Sequence, residues 1–160
     1  GADIALINPR NVSGEPVADI RVRCAELKGV DIPLQLVPLA IDEFPVLFVA
    51  AACANGTTRL SGAEELRVKE SDRIQVMADG LVAMGIDAQA QADGIIIQGG
   101  EIAGGAVDSQ GDHRIAMAFS VASLRARDDI HIDDCDTVNT SFPGLVKLAQ
   151  AAGIRVSIDD

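Results

Sequence analysis

The chain has 160 residues, which is long enough for one domain or for two small repeated units. Hydrophobic residues make up 48% but aromatic residues only 2%, so the core must come from Ala, Val, Ile and Leu, which favours an α/β fold. The net charge of -11 argues against nucleic acid and anionic membranes as partners, because both need an electropositive face. The three cysteines are far apart in sequence, which argues against a structural disulfide or zinc site and indicates a cytoplasmic protein.

Apolar periodicity and turn signals predict the elements of the first part of the chain. In order, they are strands at 3–7 and 16–23, an apolar connection at 30–39, a helix at 42–54, a strand at 57–61, a helix at 71–84, and strands at 86–91 and 94–98. Turns are predicted at Asn8–Asn11 and at Ser13-Gly14. Asp42 is the expected N-cap of the first helix, and Gly85 is the expected end of the second.

The same order of elements returns in the second part of the chain. The predicted elements are a helix that begins after the cap Asp112, a strand at 129–133, a helix from the cap Ser141 to Ala152 and a strand at 154–158, with Gly99-Gly100 and Gly104-Gly105 as turns. Asp42 and Asp112 then occupy equivalent caps, so two helix starts are expected to face one side of the molecule. The repeat predicts three parts of one domain: preceding strands and a connection at 1–38, then repeat units at 39–99 and 100–160.

The segment Arg67-Val68-Lys69-Glu70-Ser71-Asp72-Arg73 sets three cations around two carboxylates at the start of a predicted helix. Free backbone N–H groups and the helix dipole favour anions at such a start. Lys69 and Arg73 are four residues apart, so they can share one face of the helix. The segment therefore predicts a site for a small anionic ligand with a carboxyl group close by. The alternative is a solvated run of charges that pair with one another.

Two other segments carry candidate functional residues. The segment Gly111–Arg114 opens a helix, where Asp112 is either a simple cap or part of a second wall of the anion site. Asp42 is either a helix cap or a base that accepts a hydroxyl proton from the ligand. His113 alone is a weak metal-ligand candidate, because a single imidazole without other ligands nearby is more often structural.

Three motifs occur in order along the chain: Leu66–Arg73, Gly111–Met117 and Thr140–Pro143. Together with Asp42-Glu43-Phe44-Pro45 before an Ala-rich helix, they make the chain resemble the 5-enolpyruvylshikimate-3-phosphate synthase family. The resemblance covers essentially the whole chain, but only the later part of such an enzyme, most of its C-terminal domain. It implies an inside-out prism of repeated βαβαββ units, of which this chain would hold about two and some preceding strands. The start at Gly1, without an initiator Met, agrees with a cut inside a longer protein.

The resemblance also implies a reaction and its catalytic residues. The enolpyruvyl group of phosphoenolpyruvate would be transferred to the 5-hydroxyl of shikimate 3-phosphate with release of phosphate, and no metal or organic cofactor is expected. By position, Asp42 would take the hydroxyl proton. Glu70 would protonate the methylene carbon and later remove a proton from it.

The substrate-binding residues follow from the same resemblance. Lys69 would contact the phosphate of shikimate 3-phosphate or its reacting hydroxyl. Arg73 and Arg114 would bind the carboxylate and phosphate of phosphoenolpyruvate, both of which suit a guanidinium. His113 is assigned to this binding group. Thr140 stands where one branch of the family has Lys, so that contact with phosphoenolpyruvate is not carried over.

Two further expectations concern the chain as a whole. The N-terminal domain of the family, absent here, would supply further basic residues, so residues 1–160 alone are expected to be inactive. The alternatives are the related transferase that acts on UDP-N-acetylglucosamine and a non-catalytic module that binds an anion.

Overall fold

A computed structural model describes residues 1–158 of the chain. Its strands are β1 (Asp3–Val12), β2 (Glu15–Arg23), β3 (Thr57–Leu60), β4 (Asp87–Gln91), β5 (Gly94–Gln98), β6 (Gly105–Asp108) and β7 (Ile130–Asp133). Its α-helices are α1 (Phe44–Ala52), α2 (Arg73–Ala83), α3 (His113–Ala122), α4 (Val138–Ser141) and α5 (Leu145–Ala151). Short 3-10 helices occur at Leu34–Leu36, Ile41–Glu43 and Glu64–Val68. Helices and strands thus alternate through most of the chain, as the α/β class requires.

The strands form three small sheets. Strands β1 and β2 pair as an antiparallel hairpin, β3, β5 and β4 form an antiparallel sheet in that order, and β6 pairs with β7 in parallel. The apolar face of the hairpin pairs Ile4 with Val22 and Leu6 with Ile20, and these four side chains are exposed. The hairpin therefore adds no residue to the buried core.

A parallel strand-helix-strand arrangement occurs twice and carries the internal repeat. In the first copy, isolated parallel bridges join Lys28 to Asn55 and Asp31 to Arg59, with α1 between the two paired segments. In the second copy, β6 pairs in parallel with β7, with α3 between them. Helices α1 and α3 pack against each other. The sequence predicted Gly104-Gly105 only as a turn and so missed β6, because the four residues of that strand carry few apolar side chains.

The predicted turn at Asn8–Asn11 is wrong. Strand β1 continues through it to Val12, with a shift in register between Ile7 and Arg10 and with Asn8 at a φ of 52°. Pro9 thus lies at a bulge, where a missing ladder hydrogen bond is tolerated. The hairpin turns instead at Ser13-Gly14, the second predicted turn, where both residues have positive φ.

The predictions for the end of the chain are partly wrong. Ser141 is the last residue of α4 rather than a cap, because Phe142 precedes a proline and leaves the helical region, with a φ of -139°. Helix α5 begins only after Gly144, which has a φ of 89°. Residues 154–158 form no strand within the part of the chain that the structure describes, and a predicted strand without a pairing partner has no ladder to join.

The core consists of aliphatic side chains, two methionines and three phenylalanines. Buried residues come from α1, α2, α3, β3 and β5, and Phe44 stacks on Phe48 with ring centroids 5.7 Å apart. Helix α2 approaches α3 where Gly80 faces the ring of Phe119. A Cβ at Gly80 would lie 2.3 Å from Cζ of that ring. The absence of a side chain at Gly80 therefore allows the two helices to come close together.

Replacing Gly80 with Ala tests this contact. Alanine favours a helix interior by about 1 kcal/mol over glycine, but overpacking against Phe119 costs about 1–3 kcal/mol. We expect Gly80→Ala to lower the free energy of unfolding, measured by urea denaturation. In a Phe119→Leu background the same change should instead be neutral or stabilising. An increase in stability for Gly80→Ala alone would contradict this packing.

Candidate functional site

Three segments of the chain meet at the guanidinium of Arg73, the first residue of α2. Its Nε donates to Oδ2 of Asp112 at 2.8 Å, its Nη1 to Oδ1 of Asp42 at 3.1 Å, and its Nη2 to Oε2 of Glu70 at 2.6 Å. Only 1% of the Arg73 side chain is exposed. The structure therefore brings together residues from both charged motifs and from the segment before α1, as the repeat predicted.

The Asp112 carboxylate caps the start of α3 and also binds the guanidinium of Arg73. It is fully buried, and it accepts the backbone N–H of Arg114 at 2.9 Å, which confirms the predicted cap. Its other oxygen also accepts the hydroxyl of Ser71 at 3.1 Å. The sequence pattern predicted neither the ion pair with Arg73 nor a role for Ser71, because both contacts depend on how distant segments pack.

Asp42 is not a helix cap, so that prediction is wrong. The chain makes a 3-10 turn at Ile41–Glu43 and runs directly into α1, which has no side-chain cap. The Asp42 carboxylate lies instead beside two cations, Arg73 and Lys69, the latter with Nζ 3.7 Å from Oδ1. These two cations therefore hold the carboxylate away from the start of α1.

Arg114 and Lys69 complete the charged surroundings. Nη1 of Arg114 donates to the backbone carbonyl of Asp42 at 3.0 Å and lies 3.6 Å from Oε1 of Glu43. Lys69 donates to Glu65, and this hydrogen bond is the main reason that the pKa of Lys69 is raised. Both side chains thus reach the Asp42 segment from other parts of the chain.

The cations of the site are already outnumbered by carboxylates. The three cations Lys69, Arg73 and Arg114 lie beside five carboxylates, which are those of Asp42, Glu43, Glu65, Glu70 and Asp112. The charged segment is therefore paired in this state, but Arg73 is buried and pairs with Asp42 and Asp112 outside the segment, so it is not the solvated, self-paired run of the alternative interpretation. An incoming anion has to displace a carboxylate from a cation or has to be held by additional cations.

The pKa directions agree with ionised carboxylates at two positions. Burial raises the pKa of Asp42, but the charges of Lys69 and Arg114 outweigh it, so the pKa lies below its ordinary value. Burial also raises the pKa of Asp112, but the hydrogen bond and charge of Arg73 outweigh that effect. Asp42 is therefore able to accept a proton, and Asp112 keeps its negative charge beside Arg73.

His113 takes part in none of these contacts. It is the first residue of α3 and is half-buried, and among residues 1–158 its side chain has no hydrogen-bond or ion-pair partner. Within the same described range, no group of His, Cys, Asp and Glu side chains could hold a metal ion. A ligand role for His113 thus stays a prediction.

Arg67 makes structural hydrogen bonds that the sequence did not predict. Its Nε donates to the carbonyl of Ala92 and its Nη2 to that of Gln91, both in or next to the turn between β4 and β5. Its Nη1 contacts Asp72, which caps α2 by accepting the N–H of Gln75. Arg67 therefore joins the charged segment to the neighbouring sheet.

No helix within the described range is long and apolar enough to cross a membrane.

Comparisons with known proteins agree on one family. The sequence model described as EPSP synthase (3-phosphoshikimate 1-carboxyvinyltransferase) matches residues 2–148. A curated 3-phosphoshikimate 1-carboxyvinyltransferase from Methylococcus capsulatus is 63% identical over 158 residues, which cover 99% of this chain and 36% of that protein. A protein of the same name from Alkalilimnicola ehrlichii is 65% identical over 161 residues, again 36% of its length.

A solved structure gives the same result for the fold. An EPSP synthase from Acinetobacter baumannii matches with a TM-score of 0.94 and 54% sequence identity, over 99% of this chain and 38% of that one. This likeness confirms the predicted fold class. The chain spans little more than a third of the length of the relatives that it matches.

The pH dependence of stability tests the contact between Asp112 and Arg73. The folded pKa of Asp112 lies below the ordinary value of 3.8, so its stabilising effect is present above pH 3.8 and is lost as the pH falls through the folded pKa. Asp112→Asn keeps a capping side chain but loses the charge. We expect its deficit in free energy of unfolding to be largest near neutral pH and to shrink below about pH 4.

The measurement is urea denaturation from neutral to acid pH. The control is Asp108→Asn, the same change at an exposed carboxylate that also accepts one backbone N–H. This control should show little deficit at any pH. A deficit of Asp112→Asn that stays constant down to pH 3 would contradict the assignment.

Proposed function

The chain belongs to the EPSP synthase family, and from this premise we propose that it forms part of a 3-phosphoshikimate 1-carboxyvinyltransferase. The proposed reaction moves the enolpyruvyl group of phosphoenolpyruvate to the 5-hydroxyl of shikimate 3-phosphate and releases phosphate. One observation carries the proposal at the level of the site: a single buried guanidinium, that of Arg73, contacts both proposed proton-transfer groups, Asp42 and Glu70.

The proton transfers follow from the positions of these two carboxylates. Asp42, which its lowered pKa keeps ionised at neutral pH, accepts the proton of the 5-hydroxyl as the hydroxyl oxygen forms a bond to C2 of phosphoenolpyruvate. Glu70 acts in its protonated form in this step and donates that proton to the methylene carbon, and the proton taken up by Asp42 leaves with the phosphate. After the C2–O bond to phosphate breaks, Glu70 takes a proton back from the methyl group, which leaves the enolpyruvyl ether.

The cations bind the anionic groups of the substrates. We assign Arg73 and Arg114 to the carboxylate and phosphate of phosphoenolpyruvate, because a guanidinium offers paired donors to either group. We assign Lys69 to shikimate 3-phosphate, and we place His113 at the edge of the same site. Such fixed donors also stabilise the charge that develops as phosphate leaves.

The balance of charge in the site explains why more of the polypeptide is needed. Both substrates are polyanions, whereas the three cations here already lie beside five carboxylates. We propose that the remainder of a full-length enzyme, an N-terminal domain, supplies the additional cations and closes over the site. We also propose a cytoplasmic location, which agrees with the free thiols of Cys24, Cys53 and Cys135.

A chimera tests the function. In it, residues 1–160 replace the matching 36% of the Methylococcus capsulatus relative. We expect phosphate release that requires both shikimate 3-phosphate and phosphoenolpyruvate. Glu70→Gln should lower kcat at least about 100-fold, because it removes the group that moves protons at carbon.

The matched control is Glu64→Gln, the same change at an exposed glutamate of the preceding 3-10 helix. It should leave kcat within about twofold, as surface substitutions generally do. No turnover by the chimera, with the parent relative active under the same conditions, would overturn the proposed function.

The isolated chain provides a separate prediction. Residues 1–160 alone should bind the two substrates weakly and should form no measurable product, since the site lacks its additional cations. An NMR titration with both substrates, repeated with Arg114→Ala, measures the binding. Product formed by the purified chain and abolished by Glu70→Gln would contradict this expectation. Binding by the chain without any turnover by the chimera would favour a non-catalytic anion-binding module.

A further inference from the structure

The three carboxylates around Arg73 differ sharply in exposure. The side chain of Asp112 is 0% exposed, whereas those of Asp42 and Glu70 are 45% and 50% exposed. Solvent and ligands can therefore reach two of the three partners of the guanidinium. The third partner, Asp112, is buried and out of reach of solvent.

The contacts of Asp112 also hold the guanidinium in one orientation. Oδ2 of Asp112 accepts Nε of Arg73 at 2.8 Å, and Oδ1 lies 3.4 Å from Nη2, which is a side-on, two-point contact. The hydroxyl of Ser71 and the N–H of Arg114 bind the same carboxylate. Asp112 thus cannot rotate without losing contacts to both charged segments.

The other edge of the guanidinium points to the exchangeable partners. Nη1 contacts Asp42 and Nη2 contacts Glu70, and both carboxylates remain open to solvent. An anionic ligand group can take the place of either carboxylate on these two nitrogens. It cannot replace Asp112, because a buried charge left without its partner is strongly destabilising.

We propose that Asp112 is a positioning residue: a permanent buried counter-ion that aims Nη1 and Nη2 of Arg73 at the ligand while Asp42 and Glu70 exchange their contacts for it. This inference rests on the proposed function, because it assigns phosphoenolpyruvate as the ligand of Arg73. Through its bond to the Arg114 N–H, the same carboxylate also fixes the start of the helix that carries the second arginine. One buried group therefore sets the relative position of both arginines.

The test uses the chimera defined above with Asp112→Asn. Asparagine caps a helix about as well as aspartate, so the start of α3 is retained while the charge is removed. We expect the KM for phosphoenolpyruvate to rise at least about tenfold, because a hydrogen bond between charged groups is lost. The KM for shikimate 3-phosphate should change less than about threefold, because Lys69 is not bound to Asp112.

Two variants make the result specific. Asp108→Asn, at an exposed carboxylate four residues earlier, should leave both KM values unchanged. Ser71→Ala removes one hydroxyl donor from Asp112 and should raise the KM for phosphoenolpyruvate by a smaller factor. It gives a second measurement if Asp112→Asn does not fold.

The rate at which the Arg73 Nε–H exchanges with water, measured by NMR, tests the positioning role without requiring turnover. In residues 1–160, the Nε–H of Arg73 should exchange slowly with water, because it is buried and bonded to Asp112. Asp112→Asn should accelerate this exchange, whereas Asp108→Asn should not. A slowly exchanging Nε–H that is lost only in Asp112→Asn supports the positioning role.

The outcomes separate the two proposals. A folded Asp112→Asn chimera with an unchanged KM for phosphoenolpyruvate, or with equal rises in both KM values, would overturn the positioning role. An inactive unmodified chimera would instead overturn the proposed function. In that case, the exchange of the Arg73 Nε–H alone decides whether Asp112 orients this guanidinium.

Discussion

The buried guanidinium of Arg73 is the interaction on which the site depends. A guanidinium with 1% exposure loses nearly all of its hydration, a cost of several kcal/mol that only good geometry and paired charges offset. Contacts to Asp42, Glu70 and Asp112 meet this requirement. Asp112 is the partner that is buried with the guanidinium, so loss of this contact would leave a buried charge without its counter-ion.

The repeated strand-helix-strand unit of the fold brings Asp42 and Asp112 to Arg73. Two parallel strand-helix-strand arrangements place α1 and α3 side by side, and the segment before one and the cap of the other both reach α2. The close approach of α2 to α3 at Gly80 brings the start of α2 near Asp112. Arg67 then fixes the segment before α2 to the turn after β4. Packing in the core thus determines distances in the site.

The sequence predicted which residues meet but not how they are paired. Motif spacing was sufficient to select Asp42, Glu70 and Arg73, because each motif is local and specific. The pairing depends on contacts 31 and 39 residues apart, which no local pattern encodes. The cap at Asp42 was predicted wrongly for the same reason, since a distant cation attracts its carboxylate. The predicted strand at 154–158 was wrong because strand propensity is not sufficient without a pairing partner.

The account makes Arg73 the residue that exchanges carboxylates for ligand while Asp112 stays in place. The most direct measurement is a crystal structure of the chimera with phosphoenolpyruvate and a 5-deoxy analogue of shikimate 3-phosphate, which cannot react. We predict that Nε of Arg73 remains bound to Asp112 and that Nη1 or Nη2 contacts phosphoenolpyruvate. An Arg73 that keeps both Asp42 and Glu70 without touching the ligand, or that leaves Asp112 to reach it, would contradict the account.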